Sequence, residues 1–132
     1  YVIKMVGLDK YRNYYPSQLS ASMLQRVVIA LAFAIQPDLL LMDEPYGQLD
    51  LTLKYKLEDE LLKMWEEIKT TVLFITHNIE EAVYLSDRIL VLTNKPTHIK
   101  EEIINDLPRP RKVTDPEFVA LRNKVTDLIK WW

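Results

Sequence analysis

Two adjacent carboxylates follow an apolar run in the stretch "LLLMDEP", residues 39–45. A buried strand is a costly place to end in paired charge, so Asp43 and Glu44 indicate that something at the strand's end uses both acids. A second apolar run, "TVLFITH", ends in His77. One carboxylate can hold Mg²⁺, a second can polarise an attacking water, and an imidazole can bond to a phosphate oxygen. Together these groups have the chemistry of nucleotide hydrolysis.

The elements that must position these groups follow from apolar periodicity. We predict the end of a helix at 2–8, helices at 20–36 and 53–69, and strands at 39–42, 71–77 and 88–92. The first two strands lack polar alternation, which is typical of strands covered on both faces in a parallel sheet. Strands alternating with helices predict an α/β fold with right-handed crossovers. Ligands in such folds lie beyond the carboxyl ends of the strands, where Asp43, Glu44 and His77 fall.

The remaining elements are predicted from local signals. Asn78 caps a helix, with Glu81 three residues later closing a capping box. The stretch "IKEEII" alternates as an edge or hairpin strand does. The stretch "DLPRPRK" reads as an extended basic connector whose charges are solvated, and Asp115-Pro116 begins a last amphipathic helix.

Composition narrows the class of protein. The 132 residues suit one domain, and 48% of them are apolar. A net charge of −2 gives no electrostatic footprint for nucleic acid, and the absence of cysteine excludes disulfides and thiolate metal sites. The longest apolar run, 27–35, is about half of the ~18 residues that suggest a membrane span. We expect a soluble cytosolic piece of a longer chain.

Four stretches together resemble the second half of an ATP-binding-cassette (ABC) transporter ATPase: "YPSQLSASMLQRVVIA", "LLLMDEPYGQLD", "FITHNIEEAVYLSDRILVL" and "DLPRPR". "LSASM" stands at that family's signature loop, "LLLMDE" at its Walker B strand, "GQLD" at its D-loop and "TH" at its switch histidine. Within the family they most resemble the ATPases of nitrate, sulfonate and taurine importers. The resemblance implies a partial P-loop NTPase fold, with a parallel sheet core lacking the Walker A half and part of the helical subdomain.

The resemblance also implies domains and roles. Residues 1–36 would be part of the helical signature subdomain, 37–107 part of the α/β nucleotide-binding core, and 108–132 a basic connector with a C-terminal helix. Asp43 would hold Mg²⁺, Glu44 would be the general base for hydrolysis of ATP, and His77 would bond to the γ-phosphate. Further contacts with ATP would come from Ser20, Ala21, Ser22, Gln25 and Asp50. The implied partners are a second ATPase subunit, membrane permease subunits and, indirectly, a solute-binding protein, at the cytoplasmic face of the cell membrane.

Two departures from the family pattern bear on these roles. Ala21 and Ser22 replace the two glycines that the family usually has in its signature loop, and a Cβ there is expected to crowd a phosphate or strain the loop. No GxxxxGK[ST] sequence occurs, since Gly7 and Gly47 are the only glycines. We therefore expect a C-terminal fragment that by itself binds ATP weakly or not at all.

The sequence thus predicts the C-terminal part of an importer ATPase that hydrolyses ATP to drive uptake of nitrate, sulfonate, taurine or a similar small anion. Two alternatives stay open. A degenerate, non-hydrolysing cassette module is favoured by the altered signature loop. A DNA-maintenance ATPase would share the same motifs, but the short helix ending at Leu8 argues against the coiled coil that such proteins place before the signature.

Overall fold

The computed structural model describes residues 1–47 and 51–130. Its elements are α1 (Val2–Met5), α2 (Ala21–Ala34), β1 (Leu39–Asp43), α3 (Leu51–Ile68), β2 (Thr71–Ile75), α4 (Ile79–Leu85), β3 (Arg88–Leu92), β4 (Ile99–Ile104) and α5 (Pro116–Ile129). Each predicted helix and strand is present, with ends within a few residues of those expected. The chain divides into two compact units, residues 1–75 and 76–132.

The first unit contains a parallel strand pair. Residues Leu39 to Asp43 of β1 pair in register with Thr71 to Ile75 of β2. The helix between them, α3, makes the crossover that parallel strands require. Both turns into the strands contain a residue with positive φ, Gln36 before β1 and Lys69 before β2. The predicted α/β arrangement with a parallel sheet is therefore present in this unit.

The prediction that these strands are covered on both faces is wrong for this structure. Along β1 the side chains of Leu40 and Met42 are buried, whereas those of Leu39 and Leu41 are exposed. On β2 the outward face likewise leaves Leu73 about half exposed. An unbroken apolar run indicates that either face of the strand can be buried. Only the packing of other elements decides which face is covered.

Helical faces differ from expectation for a similar reason. The buried residues of α2 are Ile29, Ala30 and Phe33, while many of its other apolar residues, which periodicity would assign to a buried face, are exposed: Leu24, Val27, Val28, Leu31 and Ile35. On α3, Lys54 and Glu58 are buried, although charged side chains usually lie on the solvated face of a helix. A helix with apolar residues all round has no single stripe that periodicity can select.

The second unit packs two helices on an antiparallel hairpin. Strands β3 and β4 pair from Arg88 opposite Ile104, with an irregularity between Val91 and Leu92. Helices α4 and α5 contribute to one core: Val83, Ile89, Val91, Ile103, Phe118 and Val125. The predicted hairpin strand and the predicted last helix are confirmed by β4 and α5. Among the described helices, none is long and apolar enough to cross a membrane.

Candidate functional site

The two carboxylates singled out in the sequence stand at the carboxyl end of the parallel pair. Asp43 is the last residue of β1 and lies opposite Ile75, the last residue of β2. Glu44 follows in the turn, and both acidic residues are exposed to solvent. Because the strands are parallel neighbours, the edge where they end is the position at which an α/β sheet presents its ligand-binding groups.

The backbone of Glu44 has a left-handed conformation, with φ of +46°. A non-glycine residue in this region is uncommon and holds only where its surroundings fix it. Here the Glu44 N–H donates to the Ile75 carbonyl at 2.9 Å, and its own carbonyl accepts from the Gly47 N–H at 3.2 Å. The sharp turn therefore ends β1 at Asp43, and two backbone hydrogen bonds hold Glu44 in its left-handed conformation.

Contacts with α2, α3 and β2 hold this turn in place. Tyr46 is buried, its ring centroid lies 5.8 Å from that of Phe74 on β2, and its hydroxyl donates to the Leu57 carbonyl on α3 at 3.5 Å. From α2, the Gln25 amide donates to the Pro45 carbonyl at 2.6 Å. The carboxylates thus stand on a turn that is anchored to α2, α3 and β2.

The segment that resembles a signature loop forms the start of α2. Ser20 is the N-cap, and its hydroxyl oxygen accepts the Met23 N–H at 3.3 Å and lies 3.0 Å from the Ser22 hydroxyl. Neither Ala21 nor Ser22 has a positive φ. The replacement of glycine therefore imposes no backbone strain here, because both residues have helical geometry.

The other predicted site residues are distributed as follows. His77 is exposed in the second unit, between the end of β2 and the start of α4. Asp50 lies outside the described residues. Within the described ranges no three His, Cys, Asp or Glu side chains converge as a metal-binding group. Asp43 offers a single exposed carboxylate, which suits a hard cation that keeps waters or phosphate oxygens as its other ligands.

Sequence reasoning misjudged the surroundings of His77. Asn78 caps α4 as predicted, its side chain accepting the N–H groups of Glu80 and Glu81. The capping box is wrong, because the Asn78 N–H donates to the hydroxyl of Thr76 at 3.0 Å and not to Glu81. A threonine two residues before a cap is a local signal that could have predicted this bond.

The connector "DLPRPRK" also differs from expectation. Arg111 was expected to be solvated, but it is buried and donates to backbone carbonyls around the end of α4. Burial, with a smaller effect of Arg109, lowers the pKa of Arg111 to about 10, and Asp87 opposes that change. The side chain is still protonated at neutral pH. No local pattern signals this role, since the residues it joins are up to 28 positions apart.

Comparison with known proteins gives concordant results in sequence and fold. A sequence profile described as ABC transporter matches residues 2–47. The chain is 50% identical over 128 residues to the uncharacterized ABC transporter ATP-binding protein MJ0412 of Methanocaldococcus jannaschii, covering 97% of this chain and 48% of that protein. It is 45% identical to the aliphatic sulfonates import ATP-binding protein SsuB of Bacillus cereus, covering 93% and 49%.

Two further matches extend this comparison. The nitrate import ATP-binding protein NrtD of Synechococcus elongatus is 43% identical, covering 96% of this chain and 48% of that one. The crystal structure of the ADP conformation of MJ1267, an ATP-binding cassette of an ABC transporter, matches with a TM-score of 0.70 at 21% identity, covering 91% of this chain and 46% of that one. The chain spans about half the length of the curated relatives it matches.

Proposed function

The 132 residues belong to the ABC transporter ATPase family, and from that premise we propose that they form part of the ATP-binding subunit of an importer. The observation that carries the proposal is the anchored turn after β1. It presents Asp43 and Glu44 at the end of a parallel strand pair, and α2, which begins with the signature-like segment, is bonded to it through Gln25. In this proposal the subunit hydrolyses ATP.

Each side chain has a distinct task in the proposed reaction. Water attacks the γ-phosphorus of ATP, the bond to the bridging oxygen breaks, and the Glu44 carboxylate accepts a proton from the water. His77 donates a hydrogen bond to the γ-phosphate, which offsets charge in the transition state. The exposed oxygens of Asp43 suit Mg²⁺, which when bound would neutralise charge on the phosphates. Ser20, Ala21, Ser22, Gln25 and Asp50 complete the proposed nucleotide contacts.

The transported solute and the partners belong to the same proposal. Relatives at 43–45% identity are named for import of aliphatic sulfonates and of nitrate. We therefore assign the substrate class as a small anion such as nitrate, a sulfonate or taurine. A second copy of the subunit, permease subunits in the membrane and a solute-binding protein would be its partners, at the cytoplasmic face. Residues 1–36, 37–107 and 108–132 would be the signature subdomain, the core segment and the C-terminal connector with its helix.

Substitution of Glu44 by glutamine in the full-length gene product tests the proposal. Removing a general base lowers turnover by about 10²–10⁴-fold, so phosphate release should fall by at least about 100-fold while ATP remains bound. The matched control is Glu67→Gln, an exposed acid on α3, which should leave turnover unchanged.

The same pair of variants distinguishes the alternative function. A non-hydrolysing cassette module is favoured by one observation, the alanine and serine at positions 21 and 22. Such a module would release no phosphate in either variant or in the unmodified protein. Turnover that persists in Glu44→Gln would instead remove the role assigned to the turn after β1.

A further inference from the structure

The loop that carries His77 is fixed by a buried carboxylate in the first turn of α4. Glu81 is 4% exposed, and its Oε2 accepts the hydroxyl of Thr76 at 2.5 Å. The Thr76 oxygen in turn accepts the Asn78 N–H at 3.0 Å. The residues on both sides of His77 are therefore joined through Thr76 to Glu81.

The direction of these hydrogen bonds explains how Glu81 orients the Thr76 hydroxyl. A hydroxyl has one hydrogen, and a carboxylate can only accept, so Glu81 takes the hydrogen of Thr76. The oxygen lone pairs of Thr76 are then available for the Asn78 N–H. Without an acceptor at Glu81 the hydroxyl can rotate and bond elsewhere. A hydrogen bond to a carboxylate is stronger than one between two neutral groups.

A second set of bonds closes the loop onto the helix. The Asn78 side-chain oxygen accepts the backbone N–H groups of Glu80 at 2.9 Å and Glu81 at 3.2 Å. The Asn78 carbonyl accepts the Ala82 N–H at 3.1 Å. Residues 76 and 78 are thus both fixed to the first turn of α4, while the His77 side chain between them is exposed.

We propose that Glu81, acting through Thr76, is a positioning residue for His77. The inference rests on the proposed function, in which the imidazole meets the γ-phosphate of ATP. A displacement of about 1 Å in a group that contacts the reacting centre can cost about 10²-fold in rate. The buried carboxylate therefore supports catalysis without contacting the nucleotide.

Steady-state kinetics of the full-length gene product test this role. Glu81→Ala and Thr76→Val should each lower kcat for ATP hydrolysis by about 10-fold, with KM for ATP changed less than about 2-fold. Glu81→Gln keeps an acceptor oxygen and should stay within about 3-fold of the unmodified kcat. The matched control is Glu80→Ala in the same turn. The Glu80 carboxylate lies 3.6 Å from the Arg122 guanidinium, and its removal should leave kcat unchanged.

A double-mutant cycle separates positioning from stability. If Glu81 acts through His77, adding Glu81→Ala to His77→Ala should lower kcat by less than about 2-fold further. Losses that multiply in the double variant, or an unaltered kcat in Glu81→Ala while His77→Ala is impaired, would overturn the inference. Circular dichroism of every variant identifies any that fails to fold. If Glu81→Ala does not fold, Thr76→Val, which keeps the shape of the threonine side chain, replaces it in the cycle.

Amide hydrogen exchange gives a readout that does not depend on ATP turnover. Exchange at the Asn78 N–H should be at least about 10-fold faster in Glu81→Ala than in Glu80→Ala, because its acceptor is no longer held in place. Equal protection in the two variants overturns the inference even if the protein is active. Absence of ATP turnover in the unmodified protein, or full turnover in His77→Ala, would instead refute the proposed function or the part of His77 in it.

Discussion

Replacing Arg111 by alanine removes a buried side chain that bonds to several parts of the second unit. Its guanidinium donates five hydrogen bonds to main-chain carbonyls. The acceptors are Leu107 at 3.1 Å, Val83 at 2.9 Å, Tyr84 at 3.0 Å, Ser86 at 2.7 Å and Asn105 at 3.2 Å. Three of these carbonyls lie at the end of α4, where a helix has no internal donors left for them. Arg111 therefore caps α4 and joins it to the connector after β4, and it shares the carbonyls of Val83 and Ser86 with the side-chain amide of Asn105.

The magnitude follows from these contacts. A hydrogen bond from a charged donor contributes about 1.5–3 kcal/mol, so five independent bonds would contribute roughly 7–15 kcal/mol, which is an upper bound. Three of the bonds share one nitrogen and cannot all be well aligned, and burial of the charge offsets part of the gain, as the lowered pKa of Arg111 indicates. We expect Arg111→Ala to lower the free energy of unfolding by about 3 kcal/mol.

Urea unfolding of the chain, followed by circular dichroism at neutral pH, measures the effect. Arg111→Lys keeps the charge but not the planar fork, and should lose about 2 kcal/mol. The control is Lys112→Ala, an exposed neighbour, which should stay within about 0.5 kcal/mol. Amide exchange in residues 76–130 assigns the loss to the second unit. A loss below about 1 kcal/mol in Arg111→Ala would refute the reasoning, since the carbonyls would then have found other partners.

Three further predictions concern the first unit. Burial raises the pKa of Glu60, and Arg26 opposes that change, so the folded state binds the proton more tightly than the unfolded state does. The free energy of unfolding, measured relative to Glu60→Gln, should therefore fall as the pH rises from about 4.5 through the raised pKa. A free energy of unfolding that rises over this pH range in urea titrations would contradict the prediction. Glu44→Gly removes the side chain from a residue with φ of +46°, and it should raise the free energy of unfolding by about 1 kcal/mol while abolishing the proposed turnover. An unchanged or lower urea midpoint would show that the turn is unstrained. Gln25→Leu loses the 2.6 Å hydrogen bond to Pro45 and should lower the free energy of unfolding by about 1 kcal/mol. The control is Gln18→Leu at an exposed position, which should stay within about 0.5 kcal/mol of the unmodified protein in the same titration.

The control residue Gln18 also makes a side-chain hydrogen bond, but a local one. Its side-chain oxygen accepts the Tyr15 N–H at 2.8 Å in an exposed turn, where water can replace it. The Gln25 bond joins residues 20 positions apart and is partly buried. Equal losses in the two variants would therefore mean that the contact between α2 and the turn after β1 adds nothing beyond a local bond.

Element types and ends could be predicted because they depend on neighbouring residues. The Ser20 and Asn78 caps, the proline after α2 and the apolar runs of β1 and β2 all act within a few positions. A parallel sheet was expected from the alternation of strands and helices, and the position of Asp43 and Glu44 at the carboxyl end of a strand followed from the end of the apolar run. The ABC transporter family could likewise be identified from motif order alone.

Which surfaces are covered could not be predicted in the same way. The exposed side of Leu41, the buried Glu58 and the network of Arg111 each depend on elements distant in the sequence. An apolar or charged residue has the same local signal whether or not another element packs on it. The bond from Gln25 to Pro45 and the link from Glu81 to Thr76 are of the same kind, because side-chain partners are chosen by the packed backbone.

The sequence by itself therefore determined the elements, their order and the chemical groups that stand where the strands end. Only the tertiary structure decided the left-handed backbone of Glu44, the anchoring of its turn by Gln25 and Tyr46, and the cap that Arg111 places on α4. The physical reason is one of range. Caps, prolines and apolar runs act within one turn of helix or one strand, whereas strain, burial and long hydrogen bonds exist only once distant segments have been brought into contact.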